Sequence, residues 1–439
     1  MPIGAFKLNS ISAAAGTPAF VDSYWFGHTQ GGAADDQPRS YIDADSNVYG
    51  IIQTSSATLI GNRDIYVWKR NSAGTVQWSR RIGQSSKSFT NGGITADSTG
   101  NAYIFFYTNS YLETYVTKID TSGDISWAKQ VRGTSTTDFQ TFGIGNTSIA
   151  TDNTNVHIIG YSGNDNPNYK NEIITIACSN GSHVRSRQLT PFGGSASANS
   201  QHGGIHCDSS GNLYAVHGSG GDSILAKYNS SGTIQWQKNF DATGLDRIQN
   251  MVVDSSSSIY VNYNTDSYSC ISKISSDGAT VNWTKTSNDN TIGGHIATDG
   301  TNVYWFNNTG LTNGGWMITK FDSSGTSQWQ RQIYAASGSN AYRYCAANAY
   351  AFVGTARQTY TNTDAVQFKI PLDGTKTGTY TLGGKDFTYT SNTLTIGTAV
   401  TPTTSTSSAS TGTSSGASTN YTAYSTDTTA LTYNLVTLT

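Results

Sequence analysis

Short segments in which apolar and polar residues alternate run through most of the chain, separated by turns rich in Asp, Ser, Gly and Asn. Four consecutive examples read GGITAD, NAYIFFYT, ETYVTKID and DISWAKQV. Alternation with a period of two is typical of half-buried antiparallel strands, and the intervening residues tolerate the backbone angles of tight hairpins. The pattern therefore predicts an all-β protein.

The four-strand pattern repeats along the chain with a period of about 50 residues. Residues 97–127 contain DSTGNAY and YVTKIDTSGDISW, and residues 208–236 contain DSSGNLY and ILAKYNSSGTIQW. Six copies place a lysine five residues before a glycine, and a seventh, divergent copy has Ile176 before Gly181. Seven units of four strands predict a seven-bladed β-propeller. A linear β-solenoid is the alternative, although its repeats are usually shorter.

Three residue types recur at fixed places in the unit, and we expect them to hold the ring together. The tryptophans should wedge between blades, the lysines should run their aliphatic stems along the sheet, and the aspartates should begin hairpin turns. Arg185 replaces the tryptophan in the third copy, which should loosen or hydrate that blade contact. A ring of lysines that binds an anion in the channel is the alternative role. The repeated residues are Trp25, Trp78, Trp127, Trp236, Trp283 and Trp329; Lys69, Lys118, Lys227, Lys273, Lys320 and Lys369; and Asp43, Asp97, Asp152, Asp208, Asp254 and Asp299.

The unit resembles the bacterial seven-bladed β-propeller repeat, in which Asp-x-x-Gly-Asn-x-Tyr is followed by Ala-x-x-Lys and then by Gly-x-x-x-Trp. The resemblance covers about residues 20 to 375. It implies a scaffold or an interaction platform and transfers no catalytic or ligand-binding residue.

The last copy lacks the tryptophan of its outer strand, and the N-terminus supplies a matching segment. Trp25 precedes Asp43 by the same 18 residues that separate Trp236 from Asp254. We therefore expect residues 20–29 to form the outermost strand of the last blade and to close the ring, with an isolated N-terminal hairpin as the alternative. The predicted organisation is an N-terminal docking arm (1–19), the propeller (20–378) and a Ser/Thr-rich C-terminal extension of β and irregular structure (379–439).

Composition excludes several classes of function. The net charge is -2 and only 12% of residues are charged, which argues against nucleic-acid binding and against a polybasic membrane-surface protein. Neither a membrane-spanning segment nor a secretory signal peptide is expected, because no apolar run is long enough. The four cysteines lie far apart, which favours free thiols in a protein made in a reducing cytoplasm.

Two groups of residues have side chains that could bind a metal ion, and each also has a simpler structural role. Asp43, Asp45 and Asn47 have calcium-loop spacing but lack the glycine and the distal glutamate of an EF-hand, so a turn is expected. A second group is rich in histidine but has no zinc-type spacing, so a coincidental cluster is expected. No hydrolase elbow, zinc-protease motif or phosphate loop occurs, and we predict neither enzymatic activity nor a cofactor. The histidine-rich group consists of His202, His206, Cys207, Asp208 and His217.

The C-terminal extension is almost uncharged, and residues 401–420 are nearly all Ser, Thr, Gly and Ala. Such a segment cannot offset its ordering entropy alone. We expect a neighbouring copy or another subunit to hold it through added strands such as 387–390, 394–396 and 431–437. The sequence leaves open whether these strands pair within the chain or between chains.

The chain resembles bacteriophage virion proteins in its polar tail, its free thiols and its surface rich in Tyr, Asn, Ser and Thr. The prediction is a multi-copy structural protein of the tail, fibre, baseplate or capsid decoration, made in the host cytoplasm and located in the virion. Its partners would be other virion subunits, bound through the terminal arms, and a host-surface glycan. An exported bacterial surface or secreted lectin is the alternative, followed by a glycan-processing enzyme with two facing channel carboxylates about 5–10 Å apart.

Overall fold

The computed structural model describes the chain from residue 24 to residue 437 with gaps. The described residues are 24–30, 35–54, 62–108, 113–132, 139–141, 148–162, 170–190, 204–219, 222–242, 247–265, 267–287, 294–308, 315–335, 339–359, 363–382, 385–398, 401–406, 410–413, 417–420, 425–427 and 432–437. The predicted docking arm 1–19 lies outside them, as does His202. Within these ranges no helix is long and apolar enough to cross a membrane.

The first 29 strands build the blades, and turns of Asp, Asn, Ser and Gly separate them. In chain order they are β1 (Trp25–Gln30), β2 (Asp35–Ile42), β3 (Val48–Thr54), β4 (Asp64–Arg70), β5 (Val76–Gly83), β6 (Phe89–Ala96), β7 (Ala102–Thr108), β8 (Thr114–Ile119), β9 (Ile125–Arg132), β10 (Phe139–Thr141), β11 (Ile149–Thr151), β12 (Asn155–Ser162), β13 (Lys170–Ala177), β14 (His183–Thr190), β15 (Gly204–Cys207), β16 (Leu213–Ser219), β17 (Asp222–Tyr228), β18 (Ile234–Asp241), β19 (Arg247–Val253), β20 (Ile259–Asn264), β21 (Ser269–Ile274), β22 (Val281–Ser287), β23 (His295–Thr298), β24 (Val303–Asn308), β25 (Trp316–Phe321), β26 (Ser327–Ala335), β27 (Ser339–Ala347), β28 (Ala351–Thr359) and β29 (Thr363–Pro371).

These strands form seven antiparallel sheets arranged as a ring of blades. Blade 1 is β2–β5, blade 2 is β6–β9, blade 3 is β10–β14, blade 4 is β15–β18, blade 5 is β19–β22, blade 6 is β23–β26, and blade 7 is β27–β29 with β1. The innermost strands of neighbouring blades contact one another around the whole circle, including β27 of blade 7 against β2 of blade 1. The predicted all-β seven-bladed propeller is confirmed, and a linear solenoid is wrong.

The ring closes through the N-terminal strand, as the tryptophan spacing predicted. β1 pairs antiparallel with β29 and places Trp25 opposite Lys369. The same register sets Trp78 opposite Lys69 in blade 1. Trp25 and Phe26 are fully buried, so the first described strand belongs to the last blade and an isolated N-terminal hairpin is wrong.

The core lies between blades rather than at one centre. Each blade is covered on both faces by its neighbours, so every residue of β3 and of β7 is buried instead of alternating. Between blades 6 and 7, for example, Phe306 and Phe352 pack edge to face with ring centroids 5.9 Å apart. Repeated aromatic contacts of this kind make each blade depend on the next one.

The C-terminal extension adds one further strand to the outer edge of every blade. Its strands are β30 (Gly378–Leu382), β31 (Lys385–Ser391), β32 (Ile396–Gly397), β33 (Thr403–Thr406), β34 (Ser410–Thr413), β35 (Ala417–Asn420), β36 (Ser425–Asp427) and β37 (Thr432–Thr437). β31 pairs with blade 6 and forms a hairpin with β30, and β32 to β37 then pair with blades 5, 4, 3, 2, 1 and 7 in that order. We call β31–β37 the belt.

The belt answers the question that the sequence left open, because its strands pair within the chain. A neighbouring copy was expected to hold them, but the fourth strand of each blade has an edge of unpaired backbone groups that accepts a belt strand. The last belt strand, β37, pairs with β1, which therefore lies between β29 and β37.

Candidate functional site

Each repeated aspartate closes the turn between the first two strands of its blade. Asp43 Oδ1 accepts hydrogen bonds from the backbone N–H groups of Asp45 and Asn47 at 3.0 and 2.9 Å. Asp43 Oδ2 accepts one from Asn47 Nδ2 at 2.8 Å and one from the Tyr49 hydroxyl at 3.0 Å. The chain's own donors occupy both oxygens, which is the expected turn rather than a calcium loop.

The bond from a tyrosine on the second strand recurs around the ring. The tyrosine lies two residues after the last residue of the turn. Its hydroxyl donates a hydrogen bond to the aspartate carboxylate at 2.8 to 3.3 Å. In blade 3 a histidine replaces the tyrosine, and His157 Nε2 lies 3.2 Å from Asp152 Oδ2. The other pairs are Asp97–Tyr103, Asp208–Tyr214, Asp254–Tyr260 and Asp299–Tyr304.

These bonds set the charge state of the turn. Burial acts to raise the pKa of Asp97, but hydrogen bonds from Asn101, Thr99 and Tyr103 outweigh it and hold the pKa below its usual value. Burial, the Cys178 thiol and the bond to Asp97 raise the pKa of Tyr103. The pair therefore consists of a carboxylate and a neutral phenol.

The repeated lysines lie between blades and not in the channel. Each ammonium group sits 4.9 to 5.9 Å from the centre of a tyrosine ring, as in a cation–π contact. Lys273 also donates a hydrogen bond to the carbonyl of Ser323 in the next blade at 3.1 Å. Equivalent bonds to the next blade are made by Lys118, Lys320 and Lys369. An anion-binding ring of these lysines in the channel is therefore wrong.

The repeated tryptophans other than Trp25 lie against the same turn of the next blade. Trp283 Nε1 donates to the Ser323 carbonyl at 3.2 Å, and its ring lies over Gly325, whose φ is +80°. A Cβ at Gly325 would come within 2.9 Å of the indole. The glycine of the repeat is thus needed both for its backbone angle and for the close approach of the indole. Gly123, Gly278 and Gly374 meet Trp78, Trp236 and Trp329 in the same way.

Arg185 occupies the tryptophan position of blade 3 and contacts the turn of blade 4 through hydrogen bonding instead of through an indole ring. Its guanidinium donates to the carbonyl of Ser230 at 2.7 Å, two residues before the turn glycine of blade 4. Its Nε and Cδ atoms lie over Gly232. The expected loosening of this interface is offset by a charge-assisted hydrogen bond.

A second basic residue recurs in the unit, and the repeat pattern described above does not include it. A lysine or arginine stands two residues after the tryptophan position in six blades, and its side chain lies over the next blade's turn. Arg187 Nε donates to the Gly232 carbonyl at 2.7 Å, and Arg331 Nε donates to the Gly374 carbonyl at 2.6 Å. The signal was visible as Trp-x-Lys or Trp-x-Arg. The set is Arg80, Lys129, Arg187, Lys238, Lys285 and Arg331.

The histidine-rich group of the sequence is dispersed by the fold. His217 is fully buried within blade 4, with Nε2 3.4 Å from the Tyr228 hydroxyl, whereas His206 and Cys207 line the channel. Asp208 belongs to the turn of its blade. The described residues contain no group of three His, Cys, Asp or Glu side chains that could hold a metal ion.

The central channel contains a cavity of about 250 Å³ built from the innermost strands of all seven blades. Its polar lining includes Tyr41, Thr95, His206, Cys207 and His295, and none of the described lining residues is Asp or Glu. Burial lowers the pKa of His206 to about 4 and raises the pKa of Cys207 well above its ordinary value. The channel thus holds neutral imidazoles and a neutral thiol, which makes Cys207 a poor nucleophile.

Comparison with known proteins agrees with the repeat. Residues 77–112 match the family model SBBP, the beta-propeller repeat, over the outer strand of blade 1 and the first strands of blade 2. No curated protein sequence matches the chain. The matched segment and the seven blades together support a β-propeller built from sequence repeats.

Several solved structures show weak similarity. The Dos1 propeller is 11% identical with a TM-score of 0.45, covering 79% of this chain and 95% of that one. Puromycin hydrolase is 11% identical with a TM-score of 0.46, covering 81% of this chain and 58% of that one. A subtype N10 neuraminidase-like protein of A/little yellow-shouldered bat/Guatemala is 10% identical with a TM-score of 0.41, covering 79% and 98%.

Proposed function

We propose that this chain is a non-enzymatic structural protein of a bacteriophage virion, in which the propeller is a rigid platform for contact with other subunits or with the host surface. The observation that supports a platform best is the use of the repeated polar residues. The Asp–Tyr, Lys–carbonyl and Trp–carbonyl bonds join turn to strand and blade to blade. The repeated chemistry is therefore structural.

None of the described residues that line the channel carries a carboxylate, which supports a binding role over glycan processing. Retaining and inverting glycosidases both need two carboxyl groups facing each other across the substrate. The described lining of the channel offers hydroxyls, neutral imidazoles and thiols instead.

In this proposal the segments that link the second and third strands of a blade are the candidates for partner contact, because they differ between blades in length and in sequence. The other turns within a blade mostly repeat the same Asp and Gly residues. Residues 163–169 read GNDNPNY, residues 220–221 read GG, and residues 309–314 read TGLTNG. Variable segments on a rigid ring are suited to specific recognition.

The test is a density gradient of the source material followed by mass spectrometry of its fractions. The proposal expects the chain to migrate with intact phage particles at a fixed ratio to the capsid protein. Migration with outer membranes or in the soluble medium, together with saturable sugar binding by the isolated monomer, would instead identify a bacterial lectin.

A further inference from the structure

We propose that belt strands β33, β34 and β35 are exchangeable, and that the outer edges of blades 4, 3 and 2 accept the same strands from a second copy of this chain. The inference would supply a subunit contact for the proposed assembly. It depends only on strand pairing, so it can be tested without any virion.

From β33 to β35 the belt advances by one blade every seven residues. Its residues 406, 413, 420, 427 and 434 lie opposite equivalent places on five successive fourth strands, two or three residues after the tryptophan position. The pairs are Thr406–Lys238, Thr413–Arg187, Asn420–Lys129, Asp427–Arg81 and Asn434–His28. The register is the same on the edges of blades 4, 3 and 2, and it is shifted by one residue on blades 1 and 7. One belt strand therefore meets the same backbone arrangement on the three edges for which exchange is proposed.

The start of the belt is fixed by side chains. Phe387 and Tyr389 are buried in the cluster between blades 6 and 7, where Phe387 stacks on Phe26 with ring centroids 6.1 Å apart. Leu394 is buried as well. These contacts tie β31 to its own chain.

The middle of the belt has a different composition. Residues 401–420 contain no Val, Ile, Leu, Met or aromatic residue. With only small side chains, β33–β35 are held mainly by main-chain hydrogen bonds, which give affinity without sequence specificity. β33 adds one side-chain bond, from the Thr404 hydroxyl to the Ala279 carbonyl at 3.0 Å. The occupant that fits these edges is therefore a strand of the same Ser/Thr-rich kind, which a second copy supplies.

Tethering decides which copy provides the strand. A tethered strand acts at a high effective concentration, which favours pairing within the chain when the protein is dilute. When copies are packed side by side, the belt of one copy reaches its neighbour at an effective concentration comparable to that of the neighbour's own tethered strand. Exchange should therefore appear as the protein concentration rises.

A disulfide can report which chain provides β33. Asn239 in β18 lies directly opposite Ser405 in β33. One purified full-length copy carries Asn239→Cys and a differently tagged copy carries Ser405→Cys. The two are mixed at increasing concentration, oxidised and separated on a non-reducing gel. Exchange predicts a mixed dimer whose yield is at least tenfold higher at the highest concentration than with the control Gln235→Cys, which lies on β18 beyond the belt register.

A single chain with both cysteines shows whether the pairing itself exists, since it should cross-link as a monomer. Mixed dimers together with this monomer bond support the proposal. A monomer bond without mixed dimers means that the belt is fixed, and neither product means that β33 does not pair with blade 4. Both of these results overturn the proposal, and neither bears on whether the protein belongs to a virion.

Discussion

The contact of an indole with the next blade's glycine can be measured by comparing two glycines with similar backbone angles. Gly325 has a φ of +80° and Gly211 has a φ of +76°. Alanine at either position pays for the left-handed backbone, about 1–2 kcal/mol. At Gly211 the new methyl group would meet only Ser230 Cβ at 3.4 Å, an ordinary contact.

At Gly325 the same methyl group would lie 2.9 Å from the ring of Trp283 and 3.1 Å from Lys285 Cε. The indole must shift and weaken its hydrogen bond to Ser323, for which overpacking adds about 1–3 kcal/mol. Gly325→Ala is therefore expected to lower the free energy of unfolding by about 2–5 kcal/mol, against about 1–2 kcal/mol for Gly211→Ala.

Urea denaturation followed by circular dichroism gives both values. A double-mutant cycle then tests the cause, because in a Trp283→Ala background the extra cost of Gly325→Ala should disappear. Equal losses for the two glycine variants, or an unchanged extra cost without the indole, would refute the argument that the indole requires the glycine.

Three further predictions concern closure, acid stability and the divergent blade. Trp25→Ala should lower stability by about 3–5 kcal/mol in urea denaturation, because it removes a fully buried indole from the closing strand; a loss below 1 kcal/mol would contradict the closure role. Burial lowers the pKa of His217 to about 3. The unfolded chain therefore binds the proton first, and stability should fall by about 1.4 kcal/mol per pH unit as the pH drops from 6.5 towards 3. His217→Gln should reduce this slope in thermal melts, and an unchanged slope would exclude His217 as its source. Arg185→Ala should cost about 1 kcal/mol or more through the lost bond to Ser230, whereas Val184→Ala, at a 45% exposed side chain, should cost almost nothing in the same assay.

The belt also covers strand edges that would otherwise be open to other chains. An open propeller presents seven outer strand edges, and such edges promote pairing between chains. Here the belt covers part of each edge, and Ser and Thr predominate in its sequence. Because β37 pairs with β1, the belt also covers the strand that closes the ring.

Local pattern was sufficient to derive the ring from the sequence. Period-two alternation specified strands, the Asp and Gly turns specified hairpins, and the spacing from Trp25 to Asp43 located the closing strand. These signals are local or repeated, so each copy reinforces the same interpretation. The turn role of the repeated aspartates was predicted in the same way, whereas their bond to the tyrosine of the second strand was seen only in the structure.

Only the tertiary structure decided where the lysines point, what Arg185 contacts and where the extension runs. Each depends on a neighbouring blade: Lys273 and Trp283 share a carbonyl contributed about 40–50 residues later. The extension has almost no apolar pattern, so its path is set by the positions of open strand edges in the finished ring. Those edges exist only after the blades have assembled, and for this reason the sequence could predict added strands but not the edges that receive them.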